Sequence, residues 1–521
     1  MLSPGSYRRI LTPTIYKRID CSGSVETPQL VDEVRCVLKA KGPQTVQLLD
    51  IPSHLKSIEH VSKVDFAALP SFVKSSCDPR LMEYANEYQC RLACSTSSMT
   101  SALSNVYFAV SGHRPVNTSH LSESFRTMPK TLTQSARNPA AIILHQKESN
   151  LWLMDSDSSP NSAASRILMD LGKSLEHKLT LAHEDYVRLV LKSLISRPTD
   201  QSLISRPEAF AFTKIGRFMI RSQLDCSDPD LPMPNQTFDL KTRAVLAIRH
   251  NLATYEQHLR YELSSLRGEL NSFERELYDL SRTVMLKYSF QVRLGRMHGV
   301  FVAYHNTEQF FGFEYLPLTR MDDILVGDSK TADKLFDISV KLLERILCEI
   351  VNDFHSESAL KITLRAPQKS IGHLQIFVEL DPPVIDDMTS DELRQRLLDE
   401  FNVEFPEDTS LGALKTRYEE CMKFEAARES KGHSILPLYD KAVNGKLFMY
   451  TMNVTHLLNG KSIGPRMPSL SLKKTPASLE TEYRFGPETV NGPLSIAREY
   501  WYALKETERE ESTSPRMFMY K

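Results

Sequence analysis

The 521-residue sequence contains no apolar run close to the ~18 residues that a membrane-spanning helix needs. Its longest apolar runs, such as residues 299–304 with the sequence GVFVAY, have the length of β-strands. We therefore expect any contact with a membrane to be peripheral.

The sequence also lacks an excess of one charge and lacks paired cysteines. Its formal net charge is −1, so there is no overall basic field, and nucleic-acid binding would need a local basic patch. The eight cysteines form no CxxC pair, and Cys90 and Cys94 have no second Cys or His pair nearby to complete a zinc site. We expect free thiols in a reducing compartment.

Acidic residues are absent from the first nineteen positions, and Asp20 is the first of them. Four basic residues lie in that stretch: Arg8, Arg9, Lys17 and Arg18. This bias is typical of a mitochondrial presequence, which we place at residues 1–25. The alternative is a merely basic tail, because Pro4 and Pro13 interrupt a long amphipathic helix.

The middle of the chain changes its hydrophobic period twice. Residues 167–182 keep helical spacing, with Glu176 beside the apolar face. Residues 209–225 are rich in aromatic and β-branched residues around Gly216 and predict two antiparallel strands, followed by a loop at 226–236. Residues 237–245 predict a third strand, 273–295 a helix and 299–318 two more strands.

Two flanking patterns predict further elements. Residues 95–111 are interpreted as a polar loop before an apolar element, with hydroxyls that either bind phosphate or cap a helix. Asn271 with Glu274 resembles a capping box for the helix at 273–295. In the C-terminal third we predict an amphipathic helix at 334–354, a hairpin turning at Gly372, and an acidic helix capped by Ser390.

Two carboxylates and an amine are expected to meet at one edge of these strands. Asp225 ends the second strand, and Asp239 and Lys241 share one face of the third. Unpaired carboxylates held together repel each other, and a bound Mg²⁺ removes that cost because it prefers oxygen ligands. An ammonium beside them can stabilise charge in phosphodiester hydrolysis. The alternative for the Asp239–Lys241 pair is an ordinary solvated ion pair.

The order helix, three strands, helix, two strands, with this D-x(13)-D-x-K spacing, resembles the PD-(D/E)XK nuclease superfamily. The resemblance implies an α/β fold with a PD-(D/E)XK nuclease-like core and α+β extensions on both sides. It implies that Asp225 and Asp239 bind the metal, that Lys241 assists hydrolysis, and that Glu176 on the preceding helix completes the site. A literal Pro-Asp pair occurs at Pro229-Asp230, so Asp230 stays open as the alternative to Asp225.

Longer stretches point to one branch of that superfamily. The sequences RSQLDC…TFDLKTRAV, LKYSFQVRLGRMHGVFVAYHNT and FFGFEYLPL resemble the fungal mitochondrial family needed for trimming the 5′ ends of mitochondrial RNAs. The resemblance implies a 5′-to-3′ exoribonuclease that uses Mg²⁺ or Mn²⁺ on single-stranded mitochondrial RNA. It also implies a place in the mitochondrial matrix, peripheral to the inner membrane, with the mitochondrial RNA polymerase or the translation machinery as partners.

A basic stretch follows the candidate site. No acid lies between Leu280 and Thr307, whereas four basic residues interleave there with aromatic ones. These predicted RNA-binding residues are Arg282, Lys287, Arg293 and Arg296. On the same helix Gln291 matches the Gln or Lys that many superfamily members place near the metal, and Gln257 with Tyr261 is a weaker match to another branch.

The sequence is thus divided into a presequence (1–25), an N-terminal α+β region (26–144), the nuclease-like core (145–330) and a C-terminal α+β region (331–521). Two functions remain open: a metal-dependent exoribonuclease, or a non-catalytic RNA-binding factor that couples mitochondrial messages to translation. A DNA nuclease is a third option.

Overall fold

A computed structural model describes most of the chain between residues 8 and 508. The described residues are 8–10, 16–19, 27–35, 46–47, 52–66, 72–157, 163–191, 208–228, 237–380, 389–401, 403–406, 409–418, 421, 435–470, 479–488 and 492–508. All statements below concern these residues.

The strands of the described residues form two sheets. In chain order they are β1 (Arg8–Arg9), β2 (Tyr16–Ile19), β3 (Val46–Gln47), β4 (Leu92–Ser95), β5 (Ala140–Gln146), β6 (Trp152–Ser156), β7 (Phe210–Ile215), β8 (Phe218–Gln223), β9 (Cys226–Ser227), β10 (Thr237–Ala244), β11 (Gly299–His305), β12 (Phe310–Pro317), β13 (Ala359–Arg365), β14 (His373–Leu380), β15 (Leu447–Leu458), β16 (Lys461–Gly464) and β17 (Leu479–Pro487). The large sheet has the order β1-β17-β15-β14-β13-β5-β6-β4-β8-β7-β2, with β16 beside β15, and the small sheet has the order β3-β12-β11-β10-β9.

The helices of the described residues include α1 (Ser53–Lys56), α2 (Pro79–Glu87), α3 (Thr96–Ser111), α4 (Glu123–Thr127), α5 (Gln134–Arg137), α6 (Ala163–Thr180), α7 (His183–Val190), α8 (Leu246–Arg249), α9 (Phe273–Thr283), α10 (Met285–Gly295), α11 (Leu318–Leu325), α12 (Ser329–Asp353), α13 (Ser390–Phe401), α14 (Leu436–Val443) and α15 (Pro493–Glu508). Almost every residue of α3 is buried. This helix packs against α10, α12 and seven strands of the large sheet, so it forms the centre of the main hydrophobic core.

The large sheet must curve strongly, because β1 and β2 lie at its opposite edges. Ten inter-strand steps of ~4.8 Å would separate these edges by ~48 Å in a flat sheet. The chain from Arg9 to Tyr16 spans at most ~25 Å when fully extended. The sheet therefore curls around α3 until one N-terminal segment pairs with both edges, with β17 on one side and β7 on the other.

The small sheet carries the predicted third strand. Strand β10 pairs in parallel with β11 and antiparallel with β9 at Thr237 and Phe238. Beyond Phe238 the β9 side of β10 has no strand partner, and the backbone N–H of Leu240 donates instead to Asp225 Oδ2 at 3.1 Å. One face of β10 is apolar: its Phe238 and Leu240 side chains pack against Leu171 and Leu175 of α6.

Most of the predicted elements are confirmed, including the α/β class and the order helix, strands, helix, two strands. The hairpin β7–β8 turns at Gly216, whose φ of 56° lies in the left-handed region that glycine tolerates. The expected three-strand meander is divided between the sheets: β7 and β8 belong to the large sheet, and β9 and β10 to the small one. The helix expected at 273–295 is two helices, because Val284 leaves helical geometry between α9 and α10.

Three local predictions were wrong. Residues 95–111 contain no loop, because Ser95 and Ser98 form a capping box and α3 begins at Thr96. The N-cap of α9 is Ser272 and not Asn271, since the Ser272 hydroxyl accepts from the N–H of Arg275. Thr389, and not Ser390, caps α13 through reciprocal hydrogen bonds with Glu392.

The division of the sequence does not correspond to separately folded bodies. The boundary at 144/145 falls inside β5, the boundary at 330/331 falls inside α12, and strands from every segment build the large sheet. The predicted presequence 1–25 contains β1 and β2, where Arg8 pairs with Glu349 and Arg9 with Glu482. The basic residues that suggested a targeting signal thus also make contacts within the fold.

Two further findings concern membranes and thiols. Within the described ranges, no helix combines the length and apolar character that crossing a membrane requires. The described cysteines are free thiols, as expected: Cys77, Cys90, Cys94, Cys226, Cys348 and Cys421.

Candidate active site

The predicted residues meet where the two sheets join. Asp225 follows β8 and directly precedes β9, so it lies at the point where the chain passes from the large sheet to the small one. Asp239 and Lys241 come from the open edge of β10, on the face opposite Phe238 and Leu240. The two-residue connection from β8 to β9 and the hydrogen bond from the Leu240 N–H to Asp225 fix this junction, so these three side chains are held in one place.

The Lys241 amine lies between the two carboxylates. Its Nζ is 2.9 Å from Asp239 Oδ1 and 3.4 Å from Asp225 Oδ2. These two oxygens therefore cannot be farther apart than the two distances together. Two oxygens bound to one Mg²⁺ at ~2.1 Å lie no more than ~4.2 Å apart, so sharing an ion needs at most a small movement of the side chains. The side chains of Asp225 and Asp239 are 8% and 5% exposed, so the cluster is largely shielded from solvent.

Glu176 reaches the same cluster from α6. The helix packs on β10, where the Thr242 hydroxyl donates to the carbonyl oxygen of Gly172, and Glu176 lies one turn further along. Its carboxyl group is close enough to Asp225, Lys241 and Asp239 for all three to affect its pKa. The structure therefore brings together the four residues predicted to form the centre of the site.

The pKa values of the cluster show that its three carboxyl groups disfavour one another's negative charge. Burial, together with the neighbouring carboxylates, raises the pKa of Glu176 to about 8 and that of Asp239 to about 7. For Lys241 burial opposes the charge, but Asp239, Asp225 and Glu176 outweigh burial and raise its pKa well above the ordinary value. Lysine therefore remains protonated, while two of the three carboxyl groups hold protons more tightly than usual.

A divalent cation fits this charge distribution. Asp239 Oδ2 is buried and has no hydrogen-bond partner, which is a costly arrangement unless another group satisfies it. If all three acidic side chains were ionised around one lysine, negative charge would be in excess; the cluster relieves this by retaining protons, and a bound cation would neutralise it instead. In the present arrangement, however, the Lys241 amine takes the central position, and the described residues contain no group of three His, Cys, Asp or Glu side chains already arranged to hold an ion.

The remaining predicted site residues are placed elsewhere. Gln291 is half-buried on α10, and within the described part of the chain no hydrogen bond joins it to the carboxylates. Gln257 is exposed in a 3₁₀ segment, Leu252–His258, so the spacing from Gln257 to Tyr261 does not lie on an α-helix. Pro229 and Asp230 lie outside the described residues.

The four predicted RNA-binding residues have different surroundings. Arg293 is largely buried: its side chain is 7% exposed, and its guanidinium donates to Asp322 at 2.7 Å and to Asp333 at 2.9 Å, so its charge is already used by ion pairs within the protein. Arg282 is half-buried and donates to the carbonyl oxygen of Thr131 at 2.8 Å. Lys287 is half-buried, and Arg296 is exposed just after α10.

Two charged residues near the site, Glu208 and Lys173, were not singled out from the sequence. The pKa of Glu208 is raised, chiefly by burial, and it also responds to Asp225 and Lys173. Gln223 Nε2 donates to Glu208 Oε1 at 3.3 Å. A signal was available, because centring the β7–β8 hairpin on Gly216 places residues 208 and 223 near each other.

A buried ion-pair network further along β10 was also missed. Arg243 shares the face of Asp239 and Lys241, and its Nη2 donates to Asp279 Oδ2 at 2.9 Å. Arg249 contacts Asp279 at 2.7 Å and Glu276 at 3.1 Å. These contacts fix α9 against β10, two residues beyond Lys241, and thus support the strand that carries the site.

A protein-family model matches the middle of this chain. The family model described as "Mitochondrial protein Pet127" matches residues 72–348. A Schizosaccharomyces pombe protein named "mRNA degradation protein pet127, mitochondrial" is 36% identical over 300 residues, which are 56% of this chain and 56% of that protein. A Saccharomyces cerevisiae protein named "Putative mitochondrial translation system component PET127" is 38% identical over 275 residues, which are 52% of this chain and 32% of that protein. The chain thus spans less than two thirds of the length of either relative.

Two solved structures are similar at a low level. The crystal structure of Dxo1 from K. lactis in complex with manganese covers 66% of this chain and 80% of its own, with 8% identity and a TM-score of 0.34. The crystal structure of Rai1 from Scheffersomyces stipitis covers 74% of this chain and 96% of its own, with 12% identity and a TM-score of 0.36.

Proposed function

Because the chain belongs to the Pet127 family of mitochondrial proteins, we propose that it is a metal-dependent exoribonuclease that trims mitochondrial RNA from the 5′ end. The observation that carries the proposal is the meeting of Asp225, Asp239 and Glu176 around the Lys241 amine at the junction of the two sheets. The 5′-to-3′ direction and the location in the matrix, beside the inner membrane, rest on the family resemblance.

Asp225, Asp239 and Glu176 would hold the metal, Mg²⁺ or Mn²⁺. When bound, the ion supplies Lewis-acid activation of water and of the phosphate group. The unpartnered Oδ2 of Asp239 and the raised pKa values of Asp239 and Glu176 support this assignment. Binding the ion would require the Lys241 amine to move out of the central position between the carboxylates.

The protein's own groups then have defined tasks. Lys241 stays protonated, so its ammonium can donate to the attacking water or to a phosphate oxygen and stabilise the negative charge that develops on phosphorus. The water forms a bond to phosphorus as the bond to the leaving ribose oxygen breaks. The low exposure of Asp225 and Asp239 strengthens these electrostatic interactions, since little solvent screens them.

The proposal is tested by incubating the purified chain with single-stranded RNA or DNA, labelled at either end, in Mg²⁺, Mn²⁺ or EDTA. We expect RNA to shorten only with metal, and a 3′-end label to remain on a series of shortened products, as 5′ trimming requires. Single nucleotides released from the 3′ end would refute the direction. No metal-dependent shortening of either polymer would refute hydrolysis.

A second candidate is a non-catalytic RNA-binding factor that couples messages to translation. The observation that favours it is that Lys241 already neutralises Asp225 and Asp239 and that no three-ligand group is arranged among the described residues. Such a factor would bind RNA equally well in EDTA and in Mg²⁺ and leave its length unchanged. The same assay therefore separates the two functions.

A further inference from the structure

We propose that Phe72 is a stacking platform for a base of the single-stranded RNA, at the outer end of a polar row that leads to the candidate active site. This inference rests on the proposed function, because it concerns the path of the same substrate. It assigns a binding role to a residue that lies far from the carboxylates in sequence.

The row follows one face of β8 and its continuation. Arg221, Gln223 and Asp225 occupy alternate positions, and the N–H of Leu224 still donates to the carbonyl oxygen of Ala209, so the chain stays extended up to Asp225. Leu224 points to the opposite side, into the main core. Arg221 thus lies ~13 Å from Asp225 along the strand.

The two ends of the row are linked by charged and polar groups. Next to Asp225, Gln223 donates to Glu208, and Lys173 affects the pKa of both Glu208 and Glu176. The row therefore contains donors and acceptors between the candidate site and Arg221. Gln223 and Lys173 are the donors in this row that an RNA phosphate could contact, and an aromatic ring at its end would add base stacking.

Phe72 lies at the outer end, beside Arg221. The Arg221 guanidinium carbon is 5.9 Å from the ring centre of Phe72 and 4.8 Å from that of Phe210. Phe72 is 55% exposed, so part of its ring can be reached from solvent. One face of the ring is supported by a cation, and the remaining surface is open to solvent.

The backbone that carries Phe72 is firmly held. Arg221 Nη2 donates to the carbonyl oxygen of Val73 at 2.5 Å, and the N–H of Ser75 donates to Asp155 Oδ1 at 2.7 Å. Arg221 is itself paired with Asp78, so its charge is neutralised within the protein. The exposed part of the Phe72 ring is therefore the surface that an RNA base could contact. Because the backbone next to Phe72 is already fixed, ordering this segment costs little conformational entropy when a base stacks on the ring.

The test measures RNA affinity in an Asp239→Asn background, which prevents cleavage, and repeats it for the parent chain in EDTA. Base–aromatic stacking contributes enough that we expect Phe72→Ala to raise the Kd at least ~5-fold. Phe72→Trp should keep or improve affinity, whereas Phe72→Leu should lose it as the alanine variant does. Tyr502→Ala is the matched control, because Tyr502 is 46% exposed on α15 and should not affect binding.

RNA oligomers that lack one base at successive positions locate the contact. The parent should lose affinity when the stacked base is absent, and Phe72→Ala should lose nothing further at that position. If the parent binds RNA and Phe72→Ala or Phe72→Leu binds equally well, the stacking proposal is overturned while the hydrolytic proposal stands. If the parent binds no RNA at all, both fall.

Discussion

At the scale of single residues, the cluster around Lys241 combines groups whose charges oppose one another. The pKa values of Asp239 and Glu176 are raised by burial and neighbouring carboxylates, and the pKa of Lys241 is raised well above its ordinary value by the same carboxylates. A site used only for structural support gains little from three carboxyl groups in a poorly solvated place. Perturbed carboxyl and amine groups that converge in this way are typical of functional sites.

The raised pKa of Asp239 predicts how stability depends on pH without metal. The folded chain keeps this proton up to about pH 7, whereas the unfolded chain releases it near the ordinary aspartate pKa of 3.8. Stability therefore falls as the pH rises through that window. Asp239→Asn should remove this dependence and gain on the order of 1 kcal/mol or more over the parent above pH 7.

The measurement is urea unfolding of the parent and Asp239→Asn in EDTA at pH 5 and pH 8. If the free energy of unfolding of Asp239→Asn exceeds that of the parent by more at pH 8 than at pH 5, the raised pKa of Asp239 is supported. If the two proteins differ by the same amount at both pH values, the raised pKa is contradicted. Asp323→Asn is the control, because Asp323 is exposed on α11 and takes no part in the cluster, so its substitution should show no such dependence.

The residue pattern made part of this site predictable. Alternation along a strand was enough to place Asp239 and Lys241 on one face, and the apolar strand before Asp225 indicated a fixed position. Lys173 was not found because its proximity depends on the packing of α6 against the sheet, whereas the register of the β7–β8 hairpin was enough to place Glu208 near Gln223. Contacts between distant segments leave no periodic signal in the sequence.

At the scale of helices and strands, the basic residues of α9 and α10 divide between ion pairs within the fold and charges that could bind RNA. The absence of acids was visible in the sequence, but the partners of each basic residue were not. Asp322, which pairs with Arg293, is 2% exposed and lies on α11, outside the acid-free stretch. A local charge count therefore overestimated the cations available to RNA.

This difference predicts opposite phenotypes for two substitutions. Arg293→Ala should destabilise the fold by about 3 kcal/mol, because it leaves the Asp322 carboxylate buried without its partner. Arg296→Ala should leave stability nearly unchanged but weaken RNA binding and reduce its salt dependence. Chemical unfolding and RNA titrations at two salt concentrations check both; an Arg293→Ala chain with unchanged stability and weaker RNA binding would reverse the assignment.

At the scale of the whole molecule, the N-terminal segment joins the two edges of the large sheet. Individual strands were predictable because period-two alternation is local, but the order of strands was not, since it depends on pairings between residues hundreds of positions apart. Arg8 pairs with Glu349, and Arg9 with Glu482. The segment predicted as a presequence, which import would be expected to remove, therefore contributes strands and ion pairs to the fold.

Deleting residues 1–19 should have two separable effects. It should weaken mitochondrial import, since the acid-free basic stretch is lost, and it should lower thermal stability, since β1 and β2 and the buried Ile10 and Ile19 are removed. A heterologous matrix presequence fused to the truncated chain should restore import but not the melting temperature. Full stability of the truncated chain would show that closure of the sheet does not need this segment.

The central claim is that Asp225, Asp239 and Lys241 form a metal-dependent hydrolytic centre. The most direct measurement is single-turnover cleavage of labelled single-stranded RNA in Mg²⁺ by the parent, Asp239→Asn and Lys241→Ala, with RNA binding measured in parallel. We expect both variants to lose at least ~100-fold in rate while RNA binding is retained, because metal activation and charge stabilisation each supply several kcal/mol and ~1.4 kcal/mol corresponds to tenfold. Cleavage by Asp239→Asn at the parental rate, or a parent that is equally active in EDTA, would contradict the account.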